Sequence, residues 1–107
     1  MLRLTITLLA LFAFSPAYAD ESTGKVTHID LPTYSKIVLF GLDGMIAEKP
    51  RCNRDQQFTI NLATPNGEAL FQALLVAKAN GFNLKVTGLN TCIAHSRSED
   101  VKSILIQ

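Results

Sequence analysis

The feature that most constrains the fold is a change of hydrophobic period between residues 58 and 88. Apolar residues alternate with polar ones over 58–63 and again over 82–88, which predicts two half-buried strands. Between them, Thr64 suits a helix N-cap, Pro65 suits the first helical turn and Gly81 suits a left-handed stop. The sequence therefore predicts a strand, a helix over 65–80 and a second strand.

The predicted helix has a broad apolar stripe. Helical spacing directs one set of residues toward a core: Leu70, Ala73, Leu74 and Ala77, widened by Phe71 and Leu75. Val76 falls outside this stripe, and alternation assigns Phe40, Phe58 and Phe82 to the core as well. Because the stripe is wider than a small barrel needs, the helix is expected either to plug the barrel or also to contact a neighbouring subunit.

Three further segments have strand character, at 25–31, 37–42 and 101–106, whereas the polar residues 20–24 are expected to form a frayed start. Five strands with a helix between the third and fourth give the order of the OB-fold barrel. The predicted fold is therefore mainly β, an OB-fold-like β-barrel with one helix in the order β-β-β-α-β-β. The alternative is an open α+β sheet with the helix on one face. Gly88, which marks a bulge or bend in its strand, favours the barrel.

The N-terminus reads as a secretory signal peptide. Arg3 precedes an apolar run over 4–14, Pro16 breaks that run, and Ala17-Tyr18-Ala19 has the small-x-small pattern of a cleavage site. The run is shorter than the roughly 20 residues that a spanning helix needs. We expect a signal peptide at 1–19, a single domain at 20–107, no membrane insertion after cleavage, and a periplasmic or secreted location in a Gram-negative-type bacterium.

Cys52 and Cys92 are the two cysteines of the chain. Because exported proteins meet an oxidising compartment, these cysteines are predicted to form a disulfide. Closing a loop of this length is worth roughly 4 kcal/mol in the chain-entropy model. The alternative is a zinc site, in which the Cys-x-x-His spacing of Cys92 and His95 would be completed by Cys52 and His28. The disulfide is favoured because zinc needs reduced thiolates, so we expect no metal and no cofactor.

Catalytic and nucleic-acid functions find little support in the sequence. None of the serines lies in a recognisable nucleophile elbow, and the carboxylates are scattered over polar segments. After removal of Arg3, nine basic residues face nine acidic ones, so the domain is near neutral and has no basic surface for nucleic acid. We therefore expect a non-enzymatic protein that does not bind nucleic acid.

Several local motifs resemble those of small exported bacterial proteins that are mostly uncharacterised. The motifs are Cys52, the strand 58–63, Thr64-Pro65-Asn66-Gly67-Glu68-Ala69-Leu70, Ala73-Leu74-Leu75, Val86-Thr87-Gly88 and Thr91-Cys92. More distantly, the layout is similar to the receptor-binding B subunits of the subtilase cytotoxin family. That resemblance implies an OB-fold, a ring of subunits and binding of sialylated glycans, but it assigns no binding residue to this chain.

Any ligand site is expected on the loops, because binding residues concentrate on loops held by a rigid scaffold. The disulfide would tie the loop 43–57 to the loop 90–100. The candidate ligand-binding residues are Tyr34, Arg51, Asn53, Arg54, Asn90, His95 and Arg97. Such cations and amides suit a sugar carboxylate. The predicted function is an exported binding module for a glycan or protein, with homo-oligomerisation through the helix 65–80. The alternative is a monomeric periplasmic structural or inhibitory protein that acts by protein contact.

Overall fold

The computed structural model describes residues 21–44 and 50–107, so the predicted signal peptide lies outside the described residues. The described chain forms one helix and a curled six-stranded sheet. The mainly β class and the position of the helix are confirmed. In chain order the elements are β1 (Glu21–Gly24), β2 (Val26–Asp30), β3 (Ile37–Leu42), β4 (Phe58–Asn61), α1 (Gly67–Asn80), β5 (Leu84–Gly88) and β6 (Glu99–Ile106).

The strand order is β1-β5-β6-β4-β3-β2. All neighbouring strands run antiparallel except β4 and β6, which are parallel. Because Lys25 alone separates β1 from β2 in the chain, the two ends of this order are two halves of one bent strand. The sheet therefore curls back toward itself, which is compatible with an OB-fold-like barrel.

The start of the domain differs from the sequence-based expectation. Residues 21–24 do not fray, because Glu21–Gly24 pairs antiparallel with β5 and buries the small residues Ser22 and Gly24. Hydrophobic alternation did not indicate this strand, because its inward positions carry no large apolar side chain. Gly88 does mark a register shift between β5 and β6, as expected.

Helix α1 begins two residues later than predicted. Gly67–Asn80 follows an Asn66 N-cap, whereas Thr64 and Pro65 belong to the preceding turn, in which the Thr64 hydroxyl donates to the Asn61 carbonyl at 2.8 Å. The helix ends as predicted at Gly81, whose φ of 67° is left-handed.

The core lies between the sheet and one face of α1. Leu74 and Ala77 are fully buried, as expected, against a cluster from the strands that includes Phe40 and Phe58, whose ring centroids are 5.5 Å apart. Two side chains that the sequence pattern assigned to the core are exposed in the structure. Leu75 is 44% exposed and Phe82 is 41% exposed, so the assignment of these two side chains to the core was wrong. Phe82 precedes β5 and does not continue its alternation.

Candidate functional site

The predicted disulfide between Cys52 and Cys92 is confirmed, with the two Cα atoms 6.1 Å apart. It joins the β3–β4 loop to the β5–β6 loop across 40 positions of sequence. Because both sulfurs are bonded to each other, neither is a thiolate, and the alternative zinc site is wrong. Within 21–44 and 50–107 no group of three or more His, Cys, Asp or Glu side chains is arranged to hold a metal ion.

Backbone hydrogen bonds hold the same two loops together. The Asp55 N–H donates to the Arg97 carbonyl at 3.1 Å, and the Glu99 N–H donates to the Gln57 carbonyl at 3.1 Å. The second bond continues directly into the parallel pairing of β4 with β6. The loops are thus anchored by the sheet at one end and by the disulfide near the other. A surface built on them is largely pre-formed before any ligand arrives.

An ion pair between Arg97 and Asp55 adds a third link. Arg97 donates to Asp55 Oδ1 from Nη2 at 2.8 Å and from Nε at 3.0 Å. The hydrogen bond from Arg97 lowers the pKa of the Asp55 carboxyl, and the same bond raises the pKa of the Arg97 guanidinium. This pair was not predicted, because 42 positions of sequence separate the two residues.

A solvent-open concavity of about 560 Å³ lies over the disulfide. It is lined by Arg51, Cys52, Arg54, Ser96 and Arg97, and we call it the arginine surface. Three of the seven predicted ligand-binding residues therefore meet on one surface. Arg51 and Arg54 are exposed, and neither forms an ion pair with any residue that the structure describes. Two of the three guanidinium groups are thus available to an anion.

The other four predicted ligand-binding residues do not line this surface. Asn53 is buried, and its Oδ1 accepts from the Gln57 N–H at 3.1 Å, which supports the loop from within. Asn90 has a left-handed φ of 64°, and its N–H donates to a Glu99 carboxylate oxygen at 2.9 Å. Tyr34 is 74% exposed in the β2–β3 loop. Since Ile37 pairs with the far end of β4, Tyr34 lies at the opposite end of this strand pair from the arginine surface.

His95 supports the arginine surface through hydrogen bonds within the β5–β6 loop. Its Nδ1 accepts from the Ser98 hydroxyl at 3.2 Å and from the Arg97 N–H at 3.4 Å. Ser98 in turn accepts from Gln57 Nε2 at 3.4 Å, and Gln57 Oε1 accepts from His28 Nε2 at 2.8 Å. Ser98 is completely buried, so its hydroxyl is not offered to solvent, and its contact with Gln57 joins the two loops.

The chain matches no protein-family model, no curated protein and no solved structure. No helix in residues 21–44 or 50–107 has the length and apolar character needed to cross a membrane. The similarity to toxin B subunits therefore rests on the sequence motifs and remains a prediction.

Proposed function

We propose that this chain is an exported, non-enzymatic binding module whose arginine surface receives an anionic group, in the first place the carboxylate of an acidic sugar. The observation that carries the proposal is the exposure of Arg51 and Arg54 in one concavity, with no ion pair to other described residues. A guanidinium presents donors in a planar fork that fits a carboxylate through two parallel hydrogen bonds. Arg97 plays a smaller part because Asp55 already occupies it.

The loop anchors favour binding because they reduce the conformational freedom that a ligand would otherwise have to remove. The disulfide and the Asp55–Arg97 contacts fix the backbone on both sides of the concavity. The arginine side chains themselves remain solvated, so a single site is expected to be weak, with a dissociation constant on the order of 1 mM. A ring of subunits of the kind implied by the resemblance would raise the avidity without new contacts.

A periplasmic or extracellular location belongs to the same proposal. The Cys52–Cys92 disulfide supports it, because disulfides persist in oxidising compartments. The predicted signal peptide at 1–19 would provide the export signal, and the mass of the exported protein tests whether cleavage follows Ala19.

Capture on immobilised sialylated and desialylated glycans tests the binding proposal. We expect capture on the sialylated surface, and a loss of roughly fivefold or more in affinity for Arg51→Ala or Arg54→Ala. Arg97→Ala should have a smaller effect, and Lys102→Ala, which removes an exposed cation from β6, serves as the control. Equal capture by all variants with unchanged melting would reject the arginine surface as the site.

A second candidate function is protein contact through helix α1, either with another protein, as in the monomeric alternative, or with a second copy of this chain. Leu75 and Val76 support it, because these adjacent apolar side chains are 44% and 47% exposed. The predicted oligomerising segment 65–80 corresponds to α1 (Gly67–Asn80) and the turn before it. Sedimentation of the protein with Leu75→Lys separates the two functions. Loss of an oligomer with glycan capture intact per subunit would assign α1 to assembly and the arginine surface to binding.

A further inference from the structure

A second concavity is lined by a different part of the β5–β6 loop from the part that lines the arginine surface. It encloses about 230 Å³ between β4, β6, the start of α1 and residues 89–94. Thr59 and Asp100, which are paired across the parallel strands, contribute to it from the sheet. Leu70 contributes from the helix, and Ile93 and Ala94 contribute from the loop. We call this space the threonine cavity.

Thr59 carries an unpaired polar atom at this cavity. Its neighbours Phe58 and Ile60 belong to the hydrophobic core, so the alternation of β4 turns Thr59 away from the core. Thr59 is only 1% exposed, yet Oγ1 has no hydrogen-bond partner among the residues that the structure describes. Buried hydroxyls are hydrogen-bonded in the large majority of proteins. Because Thr59 lines the cavity, a group bound there is the candidate partner for the unpaired Oγ1.

The charge of the cavity lining also restricts the kind of ligand. Asp100 is its one ionisable lining residue. Its carboxylate accepts from the Thr91 hydroxyl at 2.7 Å and from the N–H groups of Ile93 and Ala94 at 2.7 and 3.1 Å. A carboxylate offers about four lone-pair sites, so three donors leave room for another. An anion would meet this carboxylate without a lining cation, whereas a donor group would be favoured.

We infer that the threonine cavity binds a compact, mostly apolar molecule whose single polar group is a hydrogen-bond donor, an amine or a hydroxyl. The apolar body packs against Leu70, Ile93 and Ala94, and the donor group lies between Thr59 Oγ1 and the Asp100 carboxylate. This site is distinct from the arginine surface and has the opposite charge preference. Its size suits one small ring or a short branched chain, because ligand pockets for larger molecules begin at about 300 Å³.

Three probes that share one ring test the inference: 2-phenylethylamine, 2-phenylethanol and 3-phenylpropionate. Amide chemical-shift titrations on the full exported protein should show binding of the amine and the alcohol. The shifts should concentrate in residues 89–94, 59–61 and 100–101, and the carboxylate should bind at least tenfold more weakly. Absence of binding by all three probes, with water alone satisfying Thr59, would overturn the proposal. Tighter binding by the carboxylate would overturn its charge preference.

Two variants locate the site. Thr59→Val keeps the shape and removes the hydroxyl, so it should weaken the amine about fivefold, as expected for one hydrogen bond. Thr87→Val on β5, outside the cavity lining, is its control. Ala94→Phe should fill the cavity and abolish binding, whereas Ala79→Phe on the exposed side of α1 should not. Unchanged affinity in Thr59→Val would refute the role of Oγ1 even if Ala94→Phe failed to fold.

Discussion

Removal of the disulfide is the perturbation whose effect follows most directly from the structure. Cys52 and Cys92 are 40 positions apart, so the bond closes a loop of 41 residues. The chain-entropy relation then gives about 13 cal/mol/K of lost freedom in the unfolded chain, or about 4 kcal/mol at 25 °C. For a domain of this size, that corresponds to a fall in melting temperature of roughly 20 °C.

Urea unfolding of the oxidised protein and of the Cys52→Ser/Cys92→Ser double variant measures this difference. The variant should lose about 4 kcal/mol and show a steeper dependence on urea, because its unfolded chain exposes more surface. Reduced wild-type protein is the matched control and should behave like the variant. A loss below about 1 kcal/mol would refute the reasoning, since it would mean that the closed loop is already constrained in the unfolded chain.

Three further predictions concern packing and charge. Leu74→Ala should lower the free energy of unfolding by about 2–5 kcal/mol, whereas Val76→Ala on the exposed face of the same helix should change it by less than about 0.5 kcal/mol. A larger loss of melting temperature for Val76→Ala than for Leu74→Ala would mean that the other face of the helix packs on the core. Gly88→Ala should cost about 1–3 kcal/mol, because the added Cβ would collide with a buried carboxylate, and a neutral result in urea would show that β5 can move. The lowered pKa of Asp55 should stabilise the fold above its unfolded-state pKa of about 4, and this contribution should disappear as pH falls through the lower folded-state pKa. Melts from pH 7 to pH 2 should show that acid-sensitive step in wild type and not in Asp55→Asn, and a step of equal size in both would assign it to other groups.

Local patterns predicted most of the fold because its elements have strong periodicity. The β4–α1–β5 unit was recognisable from its alternating strands and from Gly81, and the remaining predicted strands were placed around it in chain order. The strand Glu21–Gly24 was missed because its buried positions are serine and glycine, which alternation of hydrophobicity does not detect. Its pairing with β5 depends on the closure of the sheet, which is a property of the whole chain.

The site was only partly predictable for a similar reason. The disulfide brought Arg51, Arg54 and Arg97 into one region, as the sequence indicated. Sequence reasoning could not tell which polar loop residues turn inward, so buried Asn53 was expected at the surface. The ion pair of Arg97 with Asp55 was not predicted either, because a contact between residues 42 positions apart produces no local sequence pattern.

Titration of the isotope-labelled protein with 3′-sialyllactose, and with neutral lactose as the control ligand, tests the central claim most directly. We predict that the amides of residues 51–54 and 96–97 shift with the sialylated sugar and not with lactose. The double variant Arg51→Lys/Arg54→Lys should lose most of this response although its charge is unchanged, because lysine lacks the bidentate fork. Equal shifts with both sugars, a response confined to other residues, or full binding by the lysine variant would contradict the account.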